Sequence, residues 1–259
     1  MDIEFIALIF FIGLISSFTS GMLGIGGSII NYPLLLYVPT LLGITSFTAH
    51  EVTGINTVQV FFSTITAVLA YRKGGYLNQS LILSMGISIL IGSFIGGYGS
   101  KLLNEGQIHL VYAILATIAA IMMFVPKKGL NDIPVDKVTF HVPLAIISAL
   151  IVGIASGVIG AAGAFLLVPV MLVVLKIPTR ITIATSLAIT FISSIGSTTA
   201  KVITGQVLLF PAIILVIASM IASPLGASFG KKVNPKILQV ILSILIIATS
   251  AKIWLDVLS

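Results

Sequence analysis

The stretch Ser20–Pro33, SGMLGIGGSIINYP, lies inside a long apolar run, yet it carries four glycines, two serines, an asparagine and a proline. Glycine loosens helices and proline breaks them. In hydrocarbon an unpaired peptide group costs several kcal/mol, so irregular backbone survives there only beside protein or a water-filled cavity. The stretch therefore reads either as a seam where helices pack closely or as a functional turn between two helical arms.

Composition places that choice inside a membrane. The chain has 259 residues, 58% hydrophobic and 8% charged, and its mean hydropathy is +1.23. Soluble domains carry about 25% charged residues. The expected class is an all-α polytopic membrane protein with almost nothing left for a soluble domain. A net charge of +6 fits basic cytoplasmic loops against anionic lipid. The cations are scattered rather than striped, so nucleic acid is not an expected partner. Cysteine is absent, which removes disulfides, thiol catalysis and thiolate metal sites. The N-terminus, MDIEFIALIFF, starts acidic and lacks the basic region and small-residue cleavage site of a signal peptide. It reads as a retained first membrane helix.

The chain repeats itself. Ser20, Gly21, Gly24, Gly27 and Pro33 return as Ser156, Gly157, Gly160, Gly163 and Pro169, 136 residues later. Further on the offset becomes 130: Phe61, Ser63, Ala70, Gly75, Ser93, Gly96 and Lys101 match Phe191, Ser193, Ala200, Gly205, Ser223, Gly226 and Lys231. The simplest reading is a first transmembrane repeat over 1–125, a cytoplasmic linker over 126–141 and a second repeat over 142–259. Apolar segments run over 3–23, 28–42, 50–71, 77–100 and 107–125, then 142–159, 164–175, 181–203, 207–229 and 237–255. A full span needs about 20 residues. The 164–175 segment covers only about 18 Å at helical rise. Each Gly-rich stretch is therefore expected to be the tip of a re-entrant or broken helical hairpin with a short returning arm.

Charge supports five elements per repeat. With hairpins, Arg72, Lys73, Lys127, Lys128, Lys137, Lys176, Arg180, Lys231, Lys232 and Lys236 collect on one side, against Lys101, Lys201 and Lys252 on the other. Counting each hairpin as one broken span gives a nearly even split. The positive-inside rule then places the larger group in the cytoplasm and both termini outside. Five is odd, so the two copies have opposite orientation, an inverted-topology repeat common among secondary transporters.

Within this frame the candidate anion-binding residues are Gly24, Gly26, Gly27, Ser28 and Asn31 at the first tip and Gly160, Gly163 and Ala164 at the second. Helix N-termini offer free N–H groups and a positive dipole end, and glycine lets a ligand reach the backbone. Thr53, Asn56 and Thr57 on one following helix, and Thr185, Ser186 and Ser193 on its counterpart, add neutral donors. Thr48-x-x-Glu51 reads as a capping box opening the first of these helices, and Thr179 as the N-cap of the second. All seven carboxylates, Asp2, Glu4, Glu51, Glu105, Asp132, Asp136 and Asp256, fall at segment ends or in the linker. Cation transporters and proton relays usually hold acids within the membrane, so a core of N–H and O–H donors favours an anion. His50, His109 and His141 also sit at segment ends, and no metal site or cofactor is expected. Neither H-E-x-x-H nor G-x-S-x-G occurs, and with no catalytic residue identifiable an enzyme is not expected. Lys201, near the outer end of its helix, is expected to snorkel to the interface, or else to attract anions at the entrance.

The paired GMLGIGGSIINYP and GVIGAAGAFLLVP, each followed by a short arm and a Thr/Ser-bearing helix (TGINT and IATSL), resemble the sulfite exporter TauE/SafE family, also called the toluene sulfonate uptake permease family. The resemblance spans essentially the whole chain. It implies a multi-pass cell-membrane transporter of sulfur-containing oxyanions such as sulfite or sulfonates, with a small anion and the lipid bilayer as partners. Homo-oligomer formation is left open. Together with the donors above it implies alternating access, with the substrate held at the midplane by helix N-termini and Ser, Thr and Asn side chains. An anion channel, or an exporter of another small organic anion, is the alternative. Ala162 and Ala164 stand where the first motif has Gly26 and Ser28, so the two half-sites are unequal.

Overall fold

The computed structural model describes residues 3–26, 28–72, 74–124, 134–161 and 163–258. Ten α-helices follow one another: α1 (Ile3–Leu23), α2 (Ser28–Leu41), α3 (Ala49–Arg72), α4 (Gln79–Gly99), α5 (Glu105–Phe124), α6 (Val142–Val158), α7 (Ala164–Pro169), α8 (Thr179–Ile203), α9 (Leu209–Gly230) and α10 (Pro235–Leu258). Among the described residues there is no strand, and seven helices are long and apolar enough to cross a membrane. Residues 125–133, which include the first part of the linker, lie outside the described residues; Val135–Lys137 in the rest of the linker form a 3-10 turn.

The two arms expected to be short are short. α2 contains Pro33 and Pro39, and α7 ends at Pro169, where the chain passes into a π-helical turn, Val170–Val174. Each proline removes one backbone donor and crowds the preceding turn, and neither arm reaches the length of a full span. The capping box of α3 is formed in both directions: Thr48 N–H donates to Glu51 Oε2 (2.8 Å) and Glu51 N–H to Thr48 Oγ1 (3.2 Å). Its expected counterpart on α8 is different. Pro178 is the N-cap, and the Thr179 hydroxyl instead accepts from Gln239 Nε2 on α10, so a tertiary contact displaces the local cap.

Contact registers fix helix directions. α1 runs parallel to α9, with Gly13 against Ala218, Phe18 against Gly226 and Met22 against Gly230. α6 runs parallel to α4 in the same way, with Gly153 against Ile89 and Gly157 against Ser93. α8 is parallel to α4, pairing Ile192 with Gly86 and Ala200 with Gly97, and α3 is parallel to α9, pairing Ser63 with Ser223 and Tyr71 with Gly230. α3 and α8 are antiparallel: Gly54 meets Gln206, and Phe61 meets Phe191 at a ring separation of 5.2 Å. So α1, α3 and α9 run one way and α4, α6 and α8 the other. The corresponding helices of the two repeats, α1 with α6, α3 with α8 and α4 with α9, thus point in opposite directions, as an inverted-topology repeat requires.

The contacts themselves are exchanged between copies. Ser93 Oγ donates to the Ser193 carbonyl (2.7 Å), and Ser223 Oγ donates to the Ser63 carbonyl (2.6 Å). Each bond is the other's image at the 130-residue offset. A Cβ on Gly96 would lie 1.9 Å from the Ile154 oxygen, and one on Gly226 would lie 1.9 Å from the Phe18 oxygen. These glycines let backbones touch, which is how helices associate where lipid removes the hydrophobic drive between them. Phe61 and Phe191 are repeat mates packed on each other, so the pseudo-twofold relation passes between them.

The surface is inverted relative to a soluble protein. Ile87, Ile91 and Ile95 on α4 and Ile213, Ile217 and Ile221 on α9 are exposed, whereas Ser17, Ser20, Thr57, Ser63, Ser93 and Ser197 are fully buried. Apolar side chains on the outside and hydroxyls inside are what a bilayer selects. At the end where α8 begins, Arg180 Nη1 donates to the Lys231 carbonyl and Lys231 Nζ to the Ala70 carbonyl, so two cations tie together the ends of α8, α9 and α3.

Candidate functional site

Each Gly-rich tip docks on the other repeat. Gly24 ends α1 with φ +77°, and a Cβ there would lie 2.8 Å from the Ile183 oxygen on α8. The Ser186 hydroxyl donates to the Gly24 carbonyl (3.0 Å) and to that of Ile183 (3.0 Å). Gly160 has φ +67°, and its Cβ would lie 2.0 Å from the Thr53 oxygen on α3. Ile183 and Thr53 are repeat mates, so the two dockings are one arrangement used twice. Gly26 (φ +67°) and Gly163 (φ +80°) complete the turns. Such backbone is strained for any residue with a Cβ. Gly27 lies outside the described residues, as does the side chain of Ala164.

The tips also meet each other. Ser28, the first residue of α2 and 1% exposed, donates from Oγ to the Ala161 carbonyl at 3.5 Å, a long contact. One turn further on, Asn31 Nδ2 donates to Asn56 Oδ1 on α3. Both amides are fully buried, and Asn31 Oδ1 and Asn56 Nδ2 have no partner. Hydrogen-bonding capacity left unspent in a protein interior is costly. Here it lies beside the two tips. Ser193 Oγ and Thr190 Oγ1 on α8, and Gln59 Oε1 on α3, are buried and unpartnered as well. Gln59 Nε2 donates to Ser17 Oγ (2.6 Å) and ties α3 to α1.

Other candidates are occupied. Thr57 Oγ1 donates to the Gly54 carbonyl (3.0 Å) within its own helix. Thr185 is drawn away from the tips: its hydroxyl donates to the Tyr76 carbonyl (3.3 Å) and accepts from Asn78 N–H (3.1 Å), fastening the α3–α4 loop. Thr53 Oγ1 donates to the His50 carbonyl (2.8 Å) and accepts from Lys201 Nζ (2.8 Å).

That last contact corrects an expectation. Lys201 does not reach out to an interface; it is fully buried. Besides Thr53 it donates to Ser100 Oγ (2.6 Å), Gln206 Oε1 (2.7 Å) and the Val158 carbonyl (3.2 Å). Sequence position near a helix end pointed outward, but α4, α6 and the α8–α9 loop close over it. Its repeat mate Tyr71 occupies a helix end too and is 3% exposed, so both copies bury this position. Ser100 and Gln206 had no signal of their own. Among the described residues no group of three His, Cys, Asp or Glu is placed to hold a metal.

A model of the sulfite exporter TauE/SafE family matches residues 9–253. The chain belongs to that family. Two of its relatives cover more than nine tenths of it. A Bacillus subtilis protein titled "Probable membrane transporter protein YunE" is 26% identical over 255 residues, covering 91% of this chain and 92% of its own. A Methanocaldococcus jannaschii protein, also titled a "Probable membrane transporter protein", is 25% identical over 256 residues, covering 94% of each. No solved structure matches the chain at a significant level. This TauE/SafE protein is accordingly a multi-pass membrane transporter.

Proposed function

We propose that the protein moves a small sulfur-containing oxyanion, such as sulfite or a sulfonate, across the membrane by alternating access, with the substrate held between the two repeats at the midplane. The observation that carries the reading is the Asn31–Asn56 pair with unspent capacity beside two glycine turns that touch. Sulfite and sulfonate oxygens only accept hydrogen bonds, so they need donors without a competing carboxylate. Asn56 Nδ2, the hydroxyls of Ser28 and Ser193, and the backbone N–H groups opening α2 and α7 are the donors assigned to them. Ser186 acts through Gly24, which it holds in place. The exchanged dockings of the tips on α8 and α3 supply two equivalent ways of closing the path, one from each side, as alternating access needs. An anion channel would use the same donors.

The test is flux in vesicles holding purified protein, with sulfite, thiosulfate, taurine and sulfoacetate as the panel. Saturable uptake accelerated by the same anion on the far side is expected. Flux without trans-acceleration would make the protein a channel, and no flux with any of the four would overturn the substrate class.

The cation-rich end is assigned to the cytoplasm, with both termini and the α2–α3 loop outside and the 126–141 linker inside. The cysteine-free chain makes this direct to check. In whole cells, an impermeant thiol reagent is expected to label Leu42→Cys and to spare Asp136→Cys, both of which are exposed in the fold. The opposite pattern would reverse the orientation.

A further inference from the structure

Lys201 is the one charged side chain that is fully buried among the described residues. Its four acceptors, Thr53 Oγ1, Ser100 Oγ, Gln206 Oε1 and the Val158 carbonyl, are all neutral. They satisfy the three ammonium protons but do not neutralise the charge. An ammonium held away from water without a counter-charge is costly, and an apolar side chain of similar volume is often more stable in such a place. The fold does not demand a cation there, because the repeat mate at this helix position is the buried Tyr71. The charge is also beside the second tip. Val158 is the last residue of α6, and the Thr53 carbonyl is the atom on which Gly160 packs.

We propose that Lys201 binds the anionic head group of the transported substrate at the second tip, with the Thr53 and Ser100 hydroxyls as its companions; this rests on the transporter reading above. The missing counter-charge is then the substrate's own. Both hydroxyls now donate to backbone carbonyls, Thr53 to His50 and Ser100 to Gly97, and rotation of either would turn its proton to an incoming oxygen. An oxyanion head group fits this set of one ammonium and two hydroxyls. A cation does not fit, since no carboxylate is among the partners.

The experiment measures half-saturating concentrations for sulfite and sulfoacetate, by vesicle flux and by thermal stabilisation of the purified full chain, with potassium chloride at matched ionic strength. Lys201→Met is expected to be at least as stable as wild type without anion, and to need about a hundredfold more anion, the upper range for losing a hydrogen bond to a charged group. Lys201→Arg keeps the charge and should restore most of the affinity. Unchanged half-saturation in Lys201→Met overturns the assignment. Should that variant not fold, Thr53→Val and Ser100→Ala decide instead: each should weaken binding about tenfold, and unchanged values in both overturn it. Equal stabilisation by chloride would overturn the oxyanion class. Wild type showing neither flux nor stabilisation with any probe would fail the transporter reading itself. Loss of affinity in Asn56→Ala but not in Lys201→Met would fail the Lys201 assignment alone.

Discussion

Gly160→Ala should cost about 3–5 kcal/mol of stability, adding the strain of a side chain at positive φ to that of overpacking. The two causes separate cleanly, because Gly205 shares the first without the second. Gly205 has φ +72° and nothing within 4 Å of the position a Cβ would take. Gly160 has φ +67° and the Thr53 oxygen 2.0 Å away. Gly205→Ala is therefore expected to cost only about 1–2 kcal/mol, the strain alone. The difference between the two measures how tightly the second tip docks on α3. Heating purified wild type and both variants, and following the folded fraction by size exclusion, gives the comparison. Equal losses would mean the tip can move away from α3 at little cost, and the docking would then not be a rigid part of the interior. Gly24→Ala, the mate at the first tip, should behave as Gly160→Ala does, since its Cβ would meet the Ile183 oxygen at 2.8 Å.

Asn56→Ala should weaken anion binding ten- to a hundredfold, from about 1.5–3 kcal/mol lost with a donor to a charged group. Asn31→Ala should weaken it too, because Asn56 would lose the partner that orients it. The double variant should be little worse than Asn56→Ala alone, since residues in one hydrogen-bonded pair do not contribute additively. Asn56→Asp should remove binding altogether by placing a carboxylate where an anion must sit. Half-saturating concentrations in vesicle flux check all four. If both single alanine variants melt early but bind as wild type does, the pair is a bolt between α2 and α3, and the anion sits elsewhere.

Features that rest on local sequence were legible in advance. Composition alone places the chain in a bilayer, since 8% charged residues cannot cover a soluble surface. The short arms follow from the lengths of the apolar segments 28–42 and 164–175, and the capping box of α3 from Thr48 and Glu51, because each depends on residues close in sequence. The 130-residue offset marked mates that the structure then uses: Phe61 packs on Phe191, and the Ser93–Ser193 and Ser223–Ser63 bonds are images of each other. What the repeat did not reveal is that α1 packs on α9 and α6 on α4, across the copies rather than within them. Nor did it reveal that Thr185 is used up by the α3–α4 loop while Asn31 finds Asn56. Lys201 is the sharpest case. Its place near the end of an apolar segment reads as a way out to water, because a single helix in lipid offers no other relief for a charge. Only when Thr53 from α3, Ser100 after α4, Val158 from α6 and Gln206 after α8 converge does the interior become polar enough to hold it. Three of those partners lie 148, 101 and 43 residues away, so the depth of that charge is set by tertiary packing and by nothing local.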